Sequence, residues 1–125
     1  MANQKRDDAE RLARLHERAT EAVLEDILPT LDAFDMAMSG DAWKAVDGTW
    51  RSGVEYIRTQ LLSALEKHGV TSYGAPGDIF DATRYEAVGE HQGTDEEVAT
   101  VQKVLRRGYV IAGRVIRPAQ VVVHA

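Results

Sequence analysis

Residues 108–123 read GYVIAGRVIRPAQVVV, and their reading decides what kind of domain closes the chain. The apolar pairs Val110-Ile111 and Val115-Ile116 flank Ala112-Gly113, the pattern of two short strands joined by a tight turn. The hairpin carries Arg114 and Arg117 and no acid. Working backwards, short β-type runs alternate with turn residues. Val98–Leu105 precedes the hairpin, the polar stretch Gly93–Glu97 separates it from Ala87–His91, and Gly74-Ala75-Pro76-Gly77 follows Val70–Tyr73. Everything after Gly69 therefore reads as a small β domain.

Before Gly69 the period changes. From Ala2 to Ser39 there is no glycine and a single proline, and apolar residues fall at Leu12, Leu15, Ala19, Val23, Ile27, Leu31, Phe34 and Met38. Steps of three and four make this a helical stripe. Its mean step exceeds 3.6, so no left-handed supercoil is encoded. Pro29 lies inside the stripe, where it removes a hydrogen bond and crowds the carbonyl of Glu25. A break there would leave Leu28 as a poor N-cap, so one kinked helix is expected. A second stripe runs through Trp43, Val46, Trp50, Val54, Ile57, Leu61, Leu65 and His68, with Lys67 and His68 in its last turn and Gly69 suited to the C′ position. Gly48 and Gly53 weaken its start. The expected fold class is α+β, with a helical region at 1–68 and a β domain at 69–125.

A helix of that length cannot bury its stripe alone. Burial by a second copy, giving four helices from two chains, is the expected arrangement; a helix folded back within a monomer is the alternative, though the helix lengths do not match. The residues assigned to dimerisation on the long helix are Leu12, Leu15, Val23, Ile27, Leu31 and Phe34. Ile57 and Leu61 are assigned to it on the second.

The chain has 125 residues, no cysteine, and 15 basic against 20 acidic residues, a net charge of −5. Disulfides and thiolate chemistry are excluded, and no apolar run approaches the roughly 18 residues of a membrane span. A soluble, cytoplasmic protein with no membrane association is the expectation. Net acidity argues against general nucleic-acid binding. The charge is uneven, however: residues 98–125 hold Lys103, Arg106, Arg107, Arg114 and Arg117 and no acid. A nucleic-acid-binding dimer using this basic hairpin, with Tyr109 as a stacking residue, is thus one alternative function. A metal-dependent enzyme built on Asp78, Asp81, Glu86, Glu90 and His91 is another. Neither has a supporting motif: HExxH, Walker and GxSxG patterns are all absent, and no cofactor or metal is expected. Gly53, set among good helix formers, stands there either by chance or because another backbone approaches closely.

Five stretches in order carry a resemblance: DILPTLDAF at 26–34, SGVEY at 52–56, LEKHGV at 65–70, FDATRYEAV at 80–88, and the closing hairpin. Together they resemble the GrpE family, nucleotide exchange factors of the heat-shock chaperone DnaK, over Asn3–Val123. The resemblance implies a homodimer with long paired helices and a four-helix bundle. It also implies a non-enzymatic role in which the dimer binds the chaperone's ATPase domain and the β domain opens the nucleotide cleft to release ADP. Carried over by motif position, Arg114, Val123 and Gly53 would touch the chaperone, as would Lys5, Arg6 and Arg14 on the long helix. Arg106, Arg107 and Arg117 are left to solvate or brace the β domain. The chain departs from the family pattern at Ala82 and Tyr85, where proline and histidine are usual, and at Met36, where a basic residue is usual. Little precedes Asn3, so roles tied to a longer helix, such as thermosensing, are not carried over.

Overall fold

The computed structural model describes residues 2–88 and 99–124. Among the described residues three helices, α1 (Ala2–Ser39), α2 (Asp41–Lys44) and α3 (Gly48–Glu66), precede six strands. These are β1 (Val70–Tyr73), β2 (Tyr85–Ala87), β3 (Val101–Arg106), β4 (Gly108–Ile111), β5 (Arg114–Arg117) and β6 (Ala119–Val123). The expected α+β class, a long helix followed by a small all-β domain, is what the chain adopts. It divides into two compact units, Met1–Arg51 and Ser52–Ala125, with the division falling inside α3, while helix gives way to strand between Glu66 and Val70.

In the first unit α1 runs unbroken through Pro29 for 38 residues, about 57 Å at 1.5 Å per residue. The buried line on α1 is Leu24, Leu28 and Leu31, at i, i+4 and i+7. Each contributes about 1.5–3 kcal/mol of apolar burial. The stripe read from the sequence contains only the last of these. Its neighbours Leu12, Leu15 and Val23 are 68%, 54% and 59% exposed. The apolar surface of α1 is thus wider than one line: part is covered within the chain and part is open.

The second stripe does not form one helix. Ala45–Asp47 interrupts it, leaving the four-residue α2 capped by Gly40 in an extended conformation. The cost of Gly48 in a helix interior is avoided by placing it at the helix start. At the other end α3 stops at Glu66, so Lys67 and His68 lie in the turn beyond it and not in its last helical turn. Gly69 has φ +80° and donates its N–H to the Glu66 carbonyl at 3.0 Å, the left-handed stop expected there.

The second unit contains two three-stranded sheets. In the first, β4 lies between β1 and β5, all antiparallel. In the second, β6 lies between β2 and β3, parallel to the former and antiparallel to the latter. Strand β6 alternates as its sequence demands, with Ala119, Val121 and Val123 turned into a core shared with Val101, Tyr73, Phe80, Tyr85 and Val104. Val70, Tyr109 and Ile111 are the buried apolar side chains of the first sheet, and Gly108 is buried beside them. The expected strand at Ala87–His91 is observed only as β2, and its residues 89–91 lie outside the described residues, as does Val98 at the start of the expected Val98–Leu105 run.

The β4–β5 hairpin pairs Ile111 with Arg114 across a two-residue turn in which Ala112 and Gly113 have φ +50° and +80°. Positive φ at both positions is the type I′ geometry that matches strand twist. Alanine is strained there because its Cβ crowds the backbone. Ala112→Asn is therefore expected to raise stability by about 0.5–1 kcal/mol in urea denaturation. No gain would show that the turn relaxes without cost.

Candidate functional site

The hairpin presents Arg114 at its tip, exposed, immediately after the turn. Two of its basic neighbours, Arg107 and Arg117, bond to backbone and side-chain oxygens of the β unit. Arg107 donates through Nη1 to the Gly74 carbonyl at 3.1 Å and through Nη2 to Ser72 Oγ at 3.2 Å. Arg117 donates through Nε to the Arg107 carbonyl at 3.0 Å and lies 5.1 Å from the centre of the Tyr109 ring. Of the two roles left to Arg107 and Arg117, solvating or bracing the β domain, these bonds fit the second. Arg106 and Lys103 are exposed on β3.

Gly53 is exposed on α3, and a Cβ built there meets no atom within 4 Å. Packing inside the chain gives no reason for a glycine at this position. Lys5, Arg6 and Arg14 are exposed on α1. At about 100° per residue, Lys5 and Arg14 project from opposite sides of the helix, with Arg6 between them. Val123 belongs to the β core, with only 9% of its surface exposed. Leu31 is already covered by the chain itself, Ile27, Phe34 and Leu61 are half-buried, and Ile57 is exposed.

Tyr109, Asp78 and Asp81, residues on which the two alternative sites were built, are engaged in the fold. Tyr109, the stacking residue of the nucleic-acid reading, is fully buried, because it alternates with Ile111 on the inward face of β4. Of the proposed metal or acid–base cluster, Asp78 accepts from the Ala75 N–H at 2.9 Å and the Tyr85 hydroxyl at 2.8 Å. Asp81 accepts from the Thr83 N–H at 2.9 Å and its hydroxyl at 2.7 Å, closing an Asx turn that holds the carboxyl below its ordinary range. Both carboxylates are occupied with turns. Glu90 and His91 lie outside the described residues, and those described contain no group of three ligands able to hold a metal. Nor do they contain a helix long and apolar enough to cross a membrane.

Sequence reasoning missed the aromatic cluster beside the hairpin. Tyr73 and Tyr85 meet edge to face at 5.5 Å and 79°, Phe80 lies 6.3 Å from Tyr85, and the Arg84 guanidinium sits 4.6 Å over Tyr73. Nothing in the local pattern around 73 or 85 announces that these segments meet. Burial, and secondarily the bond to Asp78, push the Tyr85 phenol up from 10.0 to about 12. Its folded value is raised, so the stability it contributes is complete below pH 10 and is lost as pH rises towards 12. Between those values Tyr85→Phe should show a shallower loss of stability with pH than the parent chain; parallel curves would remove Tyr85 as the cause.

Along its whole length, residues 1–125, the chain matches the family model described as GrpE. The chain belongs to the GrpE family. It is 41% identical over 124 residues to Protein GrpE of Burkholderia multivorans, an alignment covering 97% of this chain and 65% of that protein. The corresponding protein of Ralstonia pickettii is 40% identical over 126 residues, covering 98% and 56%. That of Lactiplantibacillus plantarum is 39% identical over 104 residues, covering 82% and 52%. This GrpE chain therefore spans between about half and two thirds of the length of the curated relatives it matches. The GrpE match includes the hairpin, the Gly53 segment and α1, the three places where the candidate contacts lie.

Proposed function

We propose that this chain is a cytoplasmic co-chaperone that, as a homodimer, binds the ATPase domain of a DnaK-type chaperone and opens its cleft so that ADP leaves. The observation that carries this reading is membership of the GrpE family over the full chain. Residues 1–68 are assigned to dimerisation and 69–125 to chaperone contact, with Arg114 and Gly53 as the leading contacts. The open apolar surface supports the dimer: Leu12, Leu15, Val23 and Ile57 are each more than half exposed in the single chain, and a second copy would cover them.

The mechanism needs no catalytic group. A protein that binds the open, nucleotide-poor ATPase domain more tightly than the closed one shifts the population towards the open state. Linkage then requires that ADP affinity fall by the same factor. Rigidity of the contact surface matters because a hairpin that yields would lose its preference between the two states.

Stopped-flow release of a fluorescent ADP analogue tests the reading: added protein should accelerate release, and an unchanged rate beside a working exchange factor would overturn it. Arg114→Ala is expected to weaken binding about tenfold, as the loss of a charge-assisted contact does. The thermal midpoint should not move, since the residue is exposed on the hairpin. Equal losses of affinity and stability would instead make Arg114 a folding residue.

A further inference from the structure

The two sheets of the β unit are separate hydrogen-bonded ladders, so the angle between them is fixed by side chains and connections. Tyr73 belongs to both. Its backbone ends β1, paired with Gly108 of β4. Its ring packs into the core of the other sheet, against the cluster of Val101, Ala119, Val121 and Val123. Its hydroxyl donates to the carbonyl of Arg84, which also accepts the Ala119 N–H at 3.1 Å, so one carbonyl joins Tyr73 to the start of β6. The hydroxyl lies 3.4 Å from a second acceptor, the carbonyl of Arg117 at the end of β5.

The ring has little freedom to leave this position. The Arg84 guanidinium lies over its face and Tyr85 meets it edge to face. It also lies so close to Gly108 that a Cβ there would fall within 2.6 Å of its Cε1 and hydroxyl oxygen. Tyr85 is itself held by Asp78, so the cage is anchored in the loop before β2.

We infer that Tyr73 is a positioning residue, which sets the orientation of the β4–β5 hairpin, and with it Arg114, against the β2–β6–β3 sheet. The inference rests on the reading that the hairpin engages a chaperone, but half of its test needs no partner. In the full chain, residual dipolar couplings of the 108–117 amides are compared with those of 101–106 and 119–123. Tyr73→Leu, which removes the ring and hydroxyl, should leave the hairpin couplings inconsistent with the orientation that fits the second sheet. Tyr73→Phe, which keeps the ring over Gly108, should show a smaller departure. Loss of one hydroxyl bond predicts about fivefold weaker binding of a DnaK-type ATPase domain by Tyr73→Phe, measured well below its melting temperature.

Hairpin couplings in Tyr73→Phe and Tyr73→Leu that still fit the parent orientation would overturn the proposal. So would an affinity loss that follows only the unfolded fraction. If Tyr73→Leu does not fold, Tyr73→Phe decides by the same two criteria. If the parent chain itself fails to bind, the exchange-factor reading falls while the couplings still decide the role of Tyr73.

Discussion

Alanine at position 108 is expected to destabilise the β unit by about 3 kcal/mol, the upper range for forcing one methyl into a filled site. Gly108 is buried, and the atoms a Cβ would strike are the tip of the Tyr73 side chain. A flexible tip could swing aside, but this one is held by the Arg84 carbonyl, the guanidinium above and Tyr85 at its edge. Moving it means giving up the hydroxyl's bond to the Arg84 carbonyl and its packing on the core of the second sheet, which adds to the steric cost. Urea denaturation followed by circular dichroism measures the loss. Shortening the obstructing side chain in Gly108→Ala/Tyr73→Ser should recover part of it, whereas a loss below about 0.5 kcal/mol in the single variant would mean that the ring yields.

On the proposed reading of a dimer that binds a DnaK-type ATPase domain, Gly53→Asp should remove chaperone binding, weakening it on the order of 100-fold, while leaving the dimer and the fold intact. A carboxylate trapped without a partner in a close contact costs about 3 kcal/mol or more, which is a factor of that size. The folded chain has no objection to the side chain, because the space at Gly53 is open. Aspartate is also no worse than glycine in a helix interior. Light scattering and thermal melting should therefore match the parent chain while titration against the ATPase domain fails. A dissociated dimer would move Gly53 from the chaperone contact to the interface between copies, and unaltered affinity would remove it from both.

Several features were legible from the residues because they are local. An unbroken α1 followed from the poor cap that a break at Pro29 would need, the stop at Gly69 from backbone sterics, and the Ala112-Gly113 turn from the apolar pairs on either side of it. Where two segments distant in sequence meet, local pattern had nothing to say. Helical spacing alone does not distinguish the line through Val23 and Ile27 from the adjacent one through Leu24 and Leu28, because which line is buried depends on what packs there. Tyr109 read as a surface residue beside arginines, yet strand alternation places it inward with Ile111. The break at Ala45–Asp47 was legible only as a start weakened by Gly48 and Gly53, because the apolar spacing continues across it. The candidate site divides in the same way. Arg114 was singled out by its place in the closing motif, whereas the Tyr73 cage draws on residues from 73 to 119 and left no local signature.

The parallel pairing of β2 with β6 has a consequence for the order in which the chain is made. Parallel neighbours cannot be joined by a tight turn, and here β3, β4 and β5 all lie between them in sequence. On the ribosome, α1 and α3 can coil as they emerge, since helical contacts are local. Strands β2 and β3 must wait, because each takes its neighbour from β6, which follows both in the chain and is the central strand of its sheet. Until then Val101 has no core to enter, because the buried residues it clusters with, Ala119, Val121 and Val123, all belong to β6, and its side chain stays exposed on the growing chain.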